Sequence, residues 1–338
     1  MRYFKSDNTA AVSDEILRAI GAANNGAALA YGADRWSDAL DRVFGEFFGT
    51  PVRVFAVSSG TAANSLALAT LCPPWGTVLT HNEAHIERDE CGAPEFFTGG
   101  AKLSLVGGAG AKISPGGLTA RLAWFEPHVH GVQPRILSIT QATERGAKYS
   151  PDEIRALSDI AHGRGLAVHM DGARFANALV AENVSPAELS WKSGVDVLSF
   201  GVIKNGGMNA EAVVFFDPAR VGDFEFRRKR AGQLACKGRY AAVQLTTYLE
   251  SGIWRRNAER ANRLAARIAA AAPHLLSEPF ATNQVFMMLG EERIAALSKE
   301  FGFYPWGPTG SGEARFVCSW DTPEEDVDAL CEALERLG

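Results

Sequence analysis

Leu166-Ala167-Val168-His169-Met170-Asp171-Gly172-Ala173-Arg174 and Val195-Asp196-Val197-Leu198-Ser199-Phe200-Gly201-Val202-Ile203-Lys204-Asn205-Gly206-Gly207 are the two segments that decide how this chain is read. Each is an apolar run ending in a polar turn that carries glycine. Runs apolar at nearly every position read as strands covered on both faces, the pattern of a parallel sheet wrapped by crossover helices. Just upstream, Ser150-Pro151-Asp152-Glu153 is a capping box with proline at the first helical position. A helix is therefore predicted from there to about His162, ending at Gly163 or Gly165 and feeding the first strand.

The same texture extends outward from about residue 50 to 216. Strands are predicted over 52–57, 77–80, 102–106, 136–139, 166–170, 195–200 and 212–216. Beyond Pro218 the pattern changes to long helical stretches over 223–249 and 254–271. Strand-like runs follow at 284–289 and 315–320, and Thr322-Pro323-Glu324-Glu325 reads as a capping box opening a last helix. The expectation is an α/β chain with an N-terminal arm over 1–12, a large domain with a mostly parallel seven-stranded sheet over 13–239, and a smaller α+β domain over 240–338.

The 338 residues are 46% apolar and 22% charged, with a net charge of −5, so nothing electrostatic points to nucleic acid or an anionic membrane as partner. Five scattered cysteines form no Cys-x-x-Cys pair, which reads as reduced thiols, with neither a disulfide frame nor a metal site expected. No apolar leader opens the chain and no run is long enough to span a bilayer, so a cytoplasmic location is expected.

Asp171 ends its strand where open α/β sheets gather ligands. Lys204, thirty-three residues on, follows an apolar strand and precedes a glycine pair. Partial desolvation there lowers a lysine's pKa and suits it to nucleophilic work. Either residue alone reads as a turn cap or a solvated loop lysine. Together they suit pyridoxal phosphate, with the carboxylate on the pyridine nitrogen and the lysine on the carbonyl carbon. A third element, Ser58-Ser59-Gly60-Thr61-Ala62-Ala63-Asn64, joins strand 52–57 to a helix beginning near Ala62. Free N–H groups there can receive a phosphate, although no Gly-Lys-Ser/Thr follows and the turn by itself is an ordinary one.

In this order and at these spacings the segments resemble the low-specificity L-threonine aldolases, pyridoxal-phosphate enzymes of the aspartate-aminotransferase fold. Ser6-Asp7-Asn8, Tyr31-Gly32-Ala33-Asp34, Ser59-Gly60-Thr61-Ala62-Ala63-Asn64, Glu83-Ala84-His85-Ile86 and Arg315-Phe316-Val317 carry the resemblance with the two opening segments. It implies that Lys204 holds the cofactor as a Schiff base and Asp171 pairs with its ring nitrogen. Ser59, Gly60 and Thr61 would bind the phosphate, and His85 would stack on the ring and act in catalysis, with a base near it removing the substrate's β-hydroxyl proton. Ser6, Arg174 and Arg315 would hold the substrate carboxylate. Arg239 and Tyr31 would be offered across a dimer interface within a homotetramer.

One run departs from the family. Where many aldolases carry a histidine in Asn-Thr-His, this chain reads Gln141-Ala142-Thr143-Glu144, and His130, or alternatively His128, would supply an imidazole from the preceding loop. Surface histidines are the plainer reading of that loop, and Arg227-Arg228-Lys229-Arg230 reads as a solvated helix face. Trp306 alone among the tryptophans is placed near the pocket. The implied reaction is cleavage of an L-β-hydroxy-α-amino acid to glycine and an aldehyde. Another pyridoxal-phosphate lyase, an aminotransferase, or an idle binding protein on the same scaffold remain the alternatives.

Overall fold

Ser150 opens the helix Pro151–His162 as predicted: its hydroxyl accepts the Glu153 N–H at 3.3 Å, while the Glu153 carboxylate accepts the Ser150 N–H at 2.8 Å. The helix feeds the strand Ala167–Gly172, buried along its whole length. This computed structural model describes residues 1–337. Its central sheet has seven strands. Reading across it, they are Arg53–Val57, Glu211–Phe215, Val197–Phe200, Ala167–Gly172, Gln133–Thr140, Gly76–His81 and Lys102–Val106. Only Glu211–Phe215 runs against the rest. The carboxyl ends of the other six therefore open at one edge, and the residues singled out above as cofactor holders follow those ends.

Aromatic packing fixes this edge. Phe200 meets Phe44 edge-on at 5.3 Å, Phe48 at 6.2 Å and Tyr248 at 6.1 Å, tying the helices Leu40–Phe48 and Arg239–Glu250 to the strand that leads into Lys204. A second core gathers under a three-stranded antiparallel sheet ordered Tyr304–Trp306, Glu313–Val317, Gln284–Met288. The arm is stitched into it: Arg2–Tyr3 pairs with Phe301–Gly302, and Phe4 is fully buried. Among the described residues no helix is long and apolar enough to cross a membrane.

Three expectations need correction. The stretch 223–249 is two helices, Phe224–Arg230 and Arg239–Glu250, because Gly232 turns the chain at φ +73° and the loop carbonyl of Cys236 accepts the Tyr31 N–H instead of continuing a helix. Residues just past 240 also pack in the sheet's own core through Ala242, Leu245 and Tyr248, whereas the helical part of the second core begins at Leu264. Thr322 caps no helix. Its hydroxyl accepts the Ser319 N–H at 2.8 Å, closing a turn that stops the preceding strand at Val317, and the last helix is Glu324–Glu335.

Candidate active site

Glycine brings the two decisive turns together. A Cβ at Gly201 would lie 2.5 Å from the Ala173 carbonyl oxygen, so no other residue lets the Asp171 and Lys204 turns approach this closely. The Gly201 N–H donates to the Gly172 carbonyl at 3.1 Å. Beneath the lysine turn, buried Glu211 accepts the N–H groups of Val202 (2.9 Å) and Ile203 (3.2 Å), and burial pushes its own pKa up to about 7. Asn205 ties the far side by donating to the Tyr248 hydroxyl at 2.6 Å and the Trp254 carbonyl at 2.9 Å. Lys204 thus projects from a braced turn. Burial first, and the Arg174 guanidinium second, hold its pKa below the ordinary lysine range against the opposing pull of Asp7 and Asp171.

The Asp171 carboxylate accepts the Ala173 N–H at 3.0 Å and the Asn64 side-chain amide at 2.8 Å. That amide also donates to Glu90 at 2.8 Å, and the same Glu90 oxygen meets His85 Nδ1 at 2.8 Å. The hydrogen bond to Glu90 raises the His85 pKa, with burial opposing it. Asn64 sits on the helix Gly60–Leu71, whose N-cap is Ser59; the Ser59 hydroxyl accepts the Ala62 N–H at 3.2 Å. The N–H groups of Gly60 and Thr61 lie outside the helical ladder, and a Cβ at Gly60 would meet nothing within 4 Å. Gly60, Asn64, His85, Asp171, Arg174 and Lys204 line a single inner cavity.

The two arginines part company here. Arg174 is already forked onto buried Asp7, Nε at 2.7 Å and Nη2 at 2.8 Å, so that face of its guanidinium is not free for a substrate carboxylate. Its first role is to lock the arm over the cavity. Arg315 is the unspent cation: Nε is buried without a partner, and its one protein hydrogen bond runs from Nη2 to the Lys5 carbonyl at 3.3 Å. It lies over Trp306 at 4.2 Å, and burial with the nearby Arg174 charge lowers its pKa to about 10. Trp306, Met288, Pro305, Arg145 and Glu144 help line a larger outer cavity of about 620 Å³, ample for an amino acid with a bulky side chain.

Other expected residues lie elsewhere. His130 is exposed on the loop before Gln133–Thr140, at that strand's amino end, whereas Asp171 adjoins its carboxyl end at Thr140. Eight residues at roughly 3.3 Å each separate the two by about 25 Å, so His130 does not reach its own chain's cavity, nor does His128 beside it. Ser6 caps a short turn, its hydroxyl accepting the Asn8 N–H at 3.1 Å. Tyr31 is half exposed beneath the Lys229 ammonium, and Arg239 donates to the Gly26 carbonyl; neither lines its own chain's cavity. Within the basic run, Arg228 is largely buried, with Nε unpartnered. His169 is held in the sheet between Ser138 and Ser199, where burial drops its pKa to about 4. Residues the sequence did not single out for roles are Asp7, Glu90, Glu144 and Glu211. Asp7 and Glu144 stood in quoted motifs without a role, and Glu211 carried the signal of a carboxylate entering an apolar strand.

This donor set fits a pyridine aldehyde bearing a phosphate. An acid for a basic ring nitrogen, a desolvated lysine for the carbonyl, an imidazole beside them and a helix start for the phosphate share one cavity.

The beta-eliminating lyase family model matches residues 3–292. A low specificity L-threonine aldolase of Pseudomonas aeruginosa is 44% identical over 99% of this chain and 97% of its own length; one from another Pseudomonas strain is 42% identical with the same coverage. Among solved structures, a Leishmania major threonine aldolase superposes with a TM-score of 0.93 at 27% identity, covering 100% of this chain and 99% of the other. A Thermus thermophilus aspartate aminotransferase shares the fold at a TM-score of 0.72 and 14% identity, over 99% of this chain and 91% of the other.

Proposed function

Because this chain belongs to the beta-eliminating lyase family, we propose that it uses pyridoxal phosphate to cleave L-threonine, L-allo-threonine and related L-β-hydroxy-α-amino acids such as phenylserine to glycine and an aldehyde. The observation that carries this reading is the meeting of Lys204, Asp171 and His85 in one cavity, with the unpaired Arg315 guanidinium nearby. Bound there, the cofactor supplies an electron sink for bonds to the substrate's α-carbon. Lys204 would hold its carbonyl carbon, Asp171 would keep the ring nitrogen protonated, and His85 would pack beside the ring. Gly60 and Thr61 offer N–H groups to the phosphate from a turn capped by Ser59. Arg315 forks the substrate carboxylate, with Arg174 and Ser6 beside it. Fixing that carboxylate turns the Cα–Cβ bond toward the ring's perpendicular, so binding selects which bond breaks. Arg239 and Tyr31 would serve a neighbouring subunit's site in a homotetramer, and the enzyme would work in the cytoplasm.

The test is product analysis. Threonine should give glycine and acetaldehyde one to one, and phenylserine should give benzaldehyde; ammonia with a keto acid, or amino transfer, would contradict the proposal. Arg315 provides a finer check. Lysine cannot reproduce a planar fork, so Arg315→Lys should lower kcat/KM by about 10- to 100-fold, with kcat falling as well as KM rising. The cofactor's visible spectrum should be unchanged. Steady-state cleavage of phenylserine measures this, and near-normal kinetics would move the carboxylate to another group.

A further inference from the structure

Cleavage of the Cα–Cβ bond requires the β-hydroxyl proton to leave. His85 bonds Glu90 through Nδ1, which favours the protonated ring and leaves Nε2 as its one other position, and His130 lies at the other edge of its own chain's sheet. We propose that Glu144 takes the β-hydroxyl proton and is a further catalytic residue of this site; the inference rests on the cleavage reading above.

The position of Glu144 argues for it. The turn after Thr140 is held by the Gln141 N–H on the Asp171 carbonyl (2.7 Å) and by the Thr143 hydroxyl on the Gly110 carbonyl (2.7 Å). From this fixed turn, Glu144 Oε1 accepts the His85 backbone N–H at 2.7 Å. Its other oxygen, Oε2, is buried with no partner, an acceptor left for something the protein does not supply. The same side chain lines the inner cavity with Lys204 and the outer cavity with Trp306 and Met288. It stands where the two cavities meet. A substrate whose α-nitrogen takes the place of Lys204 on the cofactor and whose carboxylate meets Arg315 would carry its β-carbon toward the junction of the two cavities, beside this carboxylate.

The surrounding charges suit the role. Asp171, His85, Arg174 and Lys204 face Glu144 across the inner cavity, and Tyr149 lies close enough to feel its charge. Glu83, Arg88, Asp89, Arg145 and Glu313 share the outer cavity with it. Burial, then Asp171, raise the carboxyl to about 7, while its own backbone N–H and that of His85 pull it back. A group ionising there can both take and return a proton near neutrality. In the step, the substrate O–H bond breaks and an Oε2–H bond forms. The Cβ=O double bond forms as Cα–Cβ breaks, and that bond's electron pair stays with Cα, for which the cofactor, when bound, would supply the electron sink. Glu144 then releases its proton to water in the outer cavity, and Cα takes one from solvent, so atoms and charge balance.

Glu144→Gln in the holoenzyme tests this. The amide keeps the length and can still accept the His85 N–H, but it cannot accept a proton. Threonine cleavage should fall by about 10²–10⁴-fold in kcat. Exchange of glycine's α-hydrogen in heavy water, which involves no hydroxyl and breaks no carbon–carbon bond, should stay within a factor of a few. Wild-type cleavage should rise with pH through about 7, where the carboxyl becomes the ionised base, and the variant's residual rate should lose that limb. The wild-type-minus-variant infrared difference spectrum of the holoenzyme should contain a protonated-carboxyl band that titrates over the same range, since the band of Glu211, present in both, cancels. Wild-type cleavage rates in Glu144→Gln would overturn the proposal, as would equal losses of exchange and cleavage, which would mark Glu144 as a support for His85. Wild-type enzyme that exchanges glycine but releases no aldehyde would overturn the cleavage reading as well.

Discussion

Lys204→Ala should abolish aldehyde release, lowering turnover by at least about a thousandfold, as expected when an enzyme loses its nucleophile. The fold should survive. The ammonium sits on a turn held by Glu211, Asn205 and the Gly201–Gly172 hydrogen bond, none of which needs the lysine side chain. Burial disfavours its charge, so removing it should not lower the melting temperature of the cofactor-free protein. Steady-state cleavage and thermal unfolding, measured on one preparation, separate the two effects. Turnover within tenfold of wild type would remove Lys204 from the chemistry, whereas a collapsed melting temperature would make it structural.

Asp171 should be the next most sensitive position. Its carboxylate holds Asn64, which in turn holds Glu90 and, through it, His85. If Asp171 partners the ring nitrogen as proposed, losing its anion should cost on the order of 10²–10³-fold in turnover at saturating cofactor, with weaker cofactor binding. Two substitutions separate charge from structure. Asp171→Asn keeps an oxygen for the Ala173 N–H, so the turn should hold, while the ring loses its anionic partner and the Asn64 amide faces a second donor. Asp171→Ala loses both and should also be the less stable. Turnover and cofactor titration of the pair are decisive: if Asp171→Ala keeps wild-type turnover, the carboxylate is not the pyridine partner.

Much of the scaffold was legible because most of the sheet is buried on both faces, which makes its strands largely apolar runs, although Lys102–Val106 at the sheet edge is partly exposed. All seven central strands were located, and the Ser150 capping box marked its helix start to the residue. The Asp171 and Lys204 turns were legible for the same reason: polar residues and glycine interrupt apolar runs where strands end. What the sequence hid was long-range and polar. Asn64, Glu90 and Asp171 are joined by one amide across 107 positions of chain, and Arg174 reaches back 167 positions to Asp7. No local pattern encodes such pairs. His130 lies away from its own chain's cavity: nearness in sequence to the Gln133–Thr140 strand says nothing about which end of that strand faces the site. Thr322 misled because a hydroxyl three residues before a glutamate can close a turn as readily as cap a helix.

The central claim is that Lys204 is the residue that holds the cofactor, and borohydride reduction of the pyridoxal-phosphate-loaded protein tests it most directly. Reduction converts the linkage into a stable amine, and peptide mapping then locates it. The account predicts a single labelled peptide with the modification on Lys204. A label on any other lysine, or no fixable label in protein that binds the cofactor, would contradict it.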